Sequence, residues 1–165
     1  MTESMHNYFR AEKAEALLFL AAGVISIAVA CWAFFISKEK FYVGLAIPVV
    51  LVGLIQLVVG GTVFFRTSQQ VNELAALFGN NQAEFVRAET VRMIQVMNNF
   101  TIYKWVEIAF VLAGAVMLVM RVQNFWQGLA LGLLMQGALM LSLDIFAERR
   151  GERYQREIQL LNNAS

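Results

Sequence analysis

Apolar residues fall in four blocks, Ala14–Ile36, Phe41–Phe65, Val106–Met120 and Phe125–Phe146, with most of the charged residues outside them. About 20 apolar residues, rising about 1.5 Å each, cross a hydrocarbon core of about 30 Å. The pattern therefore predicts four membrane spans at about 14–36, 41–65, 102–120 and 125–146. The third reaches full length only if it begins near Ile102.

The polar stretches between the blocks are themselves patterned. Ser37–Lys40 is too short to hold a domain. From Arg66 to Phe100 the period stays helical: Val71, Leu74, Ala75 and Phe78 continue the second span, and Gly79-Asn80-Asn81 breaks it. Asn81, with Glu84 three residues later, has the form of an N-cap and capping box. The new helix carries a stripe of Val86, Thr90, Met93, Met97 and Phe100, with Glu84/Arg87 and Glu89/Arg92 expected as pairs on its wetter side. Nothing breaks it before the third span, so Asn81–Met120 should form one rod about 60 Å long, twice the hydrocarbon thickness. Tyr154, Ile158 and Leu161 give residues 147–161 an apolar edge, with Gly151 weakening that helix without ending it. Met5, Tyr8 and Phe9 suit a first segment that lies at or leaves the membrane surface and runs straight into span one. Pro48 sits inside span two, where a membrane helix tolerates it with a kink.

A repeat underlies the blocks. Phe41-Tyr42-Val43-Gly44-Leu45-Ala46 returns as Phe125-Trp126-Gln127-Gly128-Leu129-Ala130, an offset of 84 that also aligns Gly53/Gly137, Leu57/Leu141, Arg66/Arg150 and Glu73/Glu157. For the first spans an offset of 91 aligns Asn7/Asn98, Lys13/Lys104, Ala22/Ala113 and Gly23/Gly114, which predicts a shorter outer turn in the second half. The expected fold is an all-α membrane protein in a single domain. Its four transmembrane helices form two tandem hairpins in parallel repeat, and they extend into a cytoplasmic stem made of a segment at 67–100 and a C-terminal helix at 147–161.

Composition agrees with a lipid environment: 59% of residues are hydrophobic and the mean hydropathy is +0.59, above the usual apolar share of about 45–50%. The polar, acidic start and the long first block predict that span one is kept rather than cleaved. Of the 13 basic residues, only Lys38, Lys40 and Arg121 fall outside the N-terminal, central and C-terminal segments, so both termini should be cytoplasmic. A net charge of +1 argues against nucleic acid as a partner. The lone Cys31 and lone His6 leave no basis for a disulfide, a metal site or a His-based triad, and no phosphate loop, GxSxG or HExxH occurs. No cofactor is expected.

Candidate chemistry rests on polar groups inside the spans. An acid near a helix centre costs roughly 2.5–3.5 kcal/mol to insert and is paired or functional as a rule, which singles out Asp144. Glu107 and Glu15 sit one turn inside the same interface. With Glu12, Lys13, Lys104, Asp144, Glu148 and Arg149 they could form an acid–base belt that locks the bundle, or a proton or cation site. Gln56 and Gln136 need partners in lipid, yet Gln56, Gln127, Gln136 and Asp144 are not expected on one stripe, so a single protomer should make a poor pore. Gly53, Gly60, Gly128, Gly132 and Gly137 are candidate helix-packing positions, Gly128/Gly132 being a GxxxG.

Length and span number are similar to the membrane glutathione-transferase (MAPEG) family, but its Arg-Ala-x-x-Asn-x-x-Glu signature is missing: Arg66, Asn72 and Glu73 have a different spacing. The stretches Gly44–Pro48, Gly53–Gly60 and Tyr103–Ile108 resemble small four-span proteins of bacterial inner membranes. That resemblance implies a non-enzymatic protein working through protein contacts, as an immunity protein against a membrane-acting toxin or an accessory subunit. Its partners would be the lipid bilayer and a protein partner or further copies of itself. The alternative is an oligomeric ion or small-molecule channel or transporter using Asp144 and Glu107.

Overall fold

A computed structural model describes residues 2–37, 39–120 and 123–164. The described residues form four helices: α1 Thr2–Ser37, α2 Lys40–Asn80, α3 Gln82–Val119 and α4 Asn124–Ala164. Each is long and apolar enough to cross a membrane. Helices are the expected solution in lipid, because every backbone N–H and C=O finds its partner within the same segment. Lys38 and Arg121, on which part of the charge asymmetry rests, lie outside the described residues.

Between α2 and α3 the chain breaks at Asn81, whose backbone is extended at φ −151°, ψ 91°. Its side-chain oxygen accepts from the Glu84 backbone N–H at 3.2 Å, and its side-chain amide donates to the Glu84 carboxylate at 3.1 Å. In the usual capping box the glutamate takes the cap's own backbone N–H. Here that N–H is already spent on the Leu77 carbonyl, at 2.8 Å, closing α2. Gly151 and Pro48 both lie inside unbroken helices.

The helices pair as α1 with α2 and α3 with α4, and α2 packs against α4 in the middle. The backbones of α1 and α3 stay apart on opposite sides. At the turn end the α2–α4 contact is backbone on backbone and reciprocal. A side chain at Gly44 would strike the Phe125 carbonyl, and one at Gly128 would strike the Phe41 carbonyl. Lining the hairpins up by their contacts gives the same offset for both helices of each: Ala30 packs with Ala46 and Gly114 with Ala130, while Gly53 lies against Ser26 and Gly137 against Phe110. All of these pairs are 84 apart. The offset of 91 for the first helices is therefore not the one the contacts follow. The expected shorter outer turn in the second half lies outside the described residues, which omit Lys38, Arg121 and Val122.

The main core lies at the other end, where the N-terminus of α1, the α2–α3 junction and the C-terminus of α4 meet. Met5, Phe9, Phe85, Met93, Tyr154 and Ile158 are buried together there, with Leu74 and Val86. The first segment of α1 runs without a break into the rest of the helix, as expected, and its Met5 and Phe9 belong to this core. In one respect this end departs from the sequence pattern: Glu89, expected on the wetter side of α3, is 0% exposed. It lies between Val86 and Met93 at helical spacing, so the stripe that buries those two buries it as well. Glu84 and Arg87 are exposed as expected.

Candidate functional site

Asp144 of α4 and Glu107 of α3 are 7% and 6% exposed. Their carboxyl groups lie within hydrogen-bonding reach of each other. Neither takes part in an ion pair among the described residues, and one Glu107 carboxyl oxygen is buried without a hydrogen-bond partner. Two facing carboxyls in a low-dielectric setting share a proton unless a cation lies between them, because two bare negative charges so close repel. The glycines that stand 84 residues earlier, Gly23 and Gly60, instead bring helix backbones into contact: a side chain at Gly60 would come within 2.8 Å of the Ala16 carbonyl. The acid pair thus has no counterpart in the first hairpin.

Polar groups continue from this pair in both directions along α4. Towards the turn end, Met140 sulfur accepts from Gln56 Nε2 at 3.2 Å, and Gln136 Nε2 donates to Ser26 Oγ at 3.0 Å. Gln56 is 0% exposed, and the side-chain oxygens of both glutamines are buried without partners. Gln136, half-buried Met140 and Asp144 therefore stand in a column at intervals of four along α4, with Gln56 of α2 joined to them at Met140 and Gln127 outside that spacing. Past Gln136 the column stops where Gly132 meets Pro48 and Gly128 meets Phe41. Towards the packed end, Lys104 Nζ donates to Glu148 at 2.6 Å, and Glu15 pairs with Arg150. Lys13 donates to Ser68 at 2.8 Å and lies 4.7 Å over the Phe64 ring. The belt expected from sequence is thus placed as separate pairs. Arg150, not Arg149, supplies the cation opposite Glu15, because Arg149 points outward.

The expected packing glycines all sit at helix contacts: Gly53 and Gly60 against α1, Gly128 and Gly132 against α2, and Gly137 against α3. The GxxxG of α4 is therefore used within the chain.

A second polar cluster lies in the packed core, built on the Glu89/Arg92 pair expected from sequence but buried rather than on the wetter side. Arg92 donates to both Glu89 carboxylate oxygens at 2.8 and 2.7 Å, and its guanidinium lies 5.0 Å over Phe9 and 5.7 Å over Tyr8. Tyr8 stacks on Tyr154 with ring centroids 4.5 Å apart. Burial, and then the Glu12 carboxylate, push the Tyr8 phenol up to about 12. Burial followed by Glu89 pushes Tyr154 further in the same direction. Burial also raises Glu12, against the pull of Arg92 and Arg66. Burial opposes the Arg92 charge, but the hydrogen-bonded Glu89 outweighs it and holds the guanidinium charged. The signal in the sequence was Glu89 standing in register with Val86 and Met93.

No group of three His, Cys, Asp or Glu side chains is arranged to hold a metal ion among the described residues. Compared with protein-family models, curated proteins and solved structures, the chain matches none. What the site does has to be argued from its own geometry.

Proposed function

We propose that this chain is a non-enzymatic integral protein of a bacterial inner membrane that works through protein contacts, as an immunity protein or an accessory membrane subunit. In this reading the two hairpins are duplicated units of the same orientation, related by a pseudo-two-fold axis along the membrane normal. The packed end is a cytoplasmic stem, in keeping with the basic residues gathered there. The reciprocal Gly44–Phe125 and Gly128–Phe41 contacts and the common offset of 84 support the duplication. One observation carries the functional reading: all four helices overrun their apolar blocks at the same end and bury a joint core there, while the opposite end has only residues 38–39 and 120–123 between helices. A body of that size, held outside the bilayer on one side, is suited to docking, whereas the turn end offers little surface to a partner. The test is affinity capture from native membranes after cross-linking. A partner recovered in fixed proportion to the chain, and lost when exposed stem residues such as Arg87 and Glu84 are reversed in charge, supports the reading. Recovery of lipid alone contradicts it.

A second reading, proton or cation handling, is favoured by the facing Glu107 and Asp144 carboxyls. Proteoliposome flux that falls at least tenfold with Asp144→Asn would favour passage over contact. Flux equal to that of empty vesicles would dismiss it.

A further inference from the structure

We infer that the Glu107–Asp144 pair is a proton-binding site that exchanges with the stem side alone, a recess closed at one end and not a path through the bilayer. The inference rests on the proton- or cation-handling reading of the same pair and deepens it: it names the ligand and the side from which that ligand arrives.

The buried polar groups here hold more acceptors than donors. Glu107 and Asp144 bring four carboxyl oxygens, and a carboxylate donates nothing. Glu107 is 6% exposed, and one of its oxygens is buried without a donor. The side-chain nitrogens of Gln56 and Gln136 are directed to Met140 and Ser26, and the oxygen of each is left without a protein donor as well. Buried acceptors are satisfied as a rule. A proton taken up by the pair turns one carboxyl from acceptor into donor and supplies the hydrogen bond that two carboxylates lack.

Among the described residues no basic group pairs with either acid. The one charged residue of α1 between Ala14 and Ile36 is Glu15, which pairs with Arg150, and α2 has no charged residue between Phe41 and Phe65. On α3 and α4, Lys104 is engaged with Glu148 at 2.6 Å, and Arg149 is exposed. The proton also fits better than a metal cation. Calcium and magnesium take about six oxygens or more, and no third acid joins the pair among the described residues. The glutamines meet α4 at Met140 and at Gln136, one and two turns from Asp144, or about 6 and 12 Å along the axis.

Access is one-sided. Glu148 lies one turn from Asp144 towards the stem, and its partner Lys104 keeps 34% of its side chain exposed, so solvent comes within about 6 Å of the pair along the axis. Towards the turns, Pro48 and the Leu45 carbonyl close on Gly132, and the Phe41 carbonyl closes on Gly128, with no room for a methyl group. In the first hairpin the same two positions are Gly23 and Gly60, which bring backbones together. Only one half of the molecule carries the site.

The experiment is labelling of the full chain in membrane vesicles with dicyclohexylcarbodiimide, an apolar reagent that adds to a protonated carboxyl and not to a carboxylate, followed by mass mapping. An adduct should form on Glu107 or Asp144. With the stem side facing the buffer, its rate should fall about tenfold for each pH unit above the midpoint of the site. With the turn side facing the buffer, the same pH change should leave the rate unaltered while the lumen is held constant. Glu107→Gln with Asp144→Asn should abolish the adduct at unchanged helix content, and the pH response of the parent chain is read without any variant. No adduct on the pair, a rate governed by the turn-side pH, or protection by sodium chloride relative to choline chloride overturns the inference. In proteoliposomes, an adduct together with flux equal to that of empty vesicles leaves the site standing and dismisses passage. Asp144-dependent flux without an adduct keeps the handling reading and removes the site.

Discussion

Glu89 has no access to water and both of its carboxylate oxygens accept from Arg92, so the two residues should not be separable. Arg92→Met would leave a buried carboxylate without its partner and should lower stability by about 3–5 kcal/mol, whereas Glu89→Leu with Arg92→Met should restore most of the loss. Chemical unfolding in detergent, followed by circular dichroism, measures both. Glu12 gives a pH test. Burial raises its pKa above the ordinary 4.5, so its contribution to stability is fully present below pH 4.5 and is lost as the pH rises through the raised value. Glu12→Gln should flatten that part of the stability profile relative to the parent chain, and an unchanged profile would contradict the burial of this carboxyl. At this scale the sequence was only partly legible. An acid inside an apolar block is conspicuous, so Asp144 and Glu107 stood out, but that they face one another depends on how α3 and α4 are aligned. Glu89 was misread because an i, i+3 partner made it look solvated, while its place in the apolar stripe counted for more.

At the level of helices, the α2–α4 contact is the one that tolerates least. Gly44 and Gly128 each admit a carbonyl of the facing helix where a side chain would stand. Gly44→Leu or Gly128→Leu must therefore push the backbones apart, at a cost of roughly 1–3 kcal/mol or more. Gly79 is the control: nothing lies within 4 Å of a side chain placed there, and it is helical, so Gly79→Ala should be neutral or stabilise by roughly 0.5–1 kcal/mol. Thermal unfolding of the three variants checks the order. The helices were largely legible because apolar block length, the Gly79-Asn81 break and the Asn81–Glu84 cap are local features. The alignment of α1 with α3 was not, because small and apolar residues match at several offsets, and only the interhelical contacts separate 84 from 91.

For the whole molecule, the two ends differ in kind. One is a packed core of aromatic and aliphatic side chains around a buried ion pair, and the other is an apolar contact closed by glycines and short turns. In the proposed arrangement the polar column from Gln136 to Glu148 opens toward the stem and is closed toward the turns, which fits a protein that anchors and presents rather than conducts. That arrangement requires four crossings with both turns on one side of the membrane. The most direct measurement is labelling of single cysteines, in a chain with Cys31→Ser, by a membrane-impermeant maleimide on intact spheroplasts. Glu39→Cys and Gln123→Cys should be labelled from outside, and Asn80→Cys and Gln159→Cys only after the membrane is opened. Labelling of Gln123→Cys in the same compartment as Gln159→Cys, or a chain that stays soluble without detergent, would contradict the account.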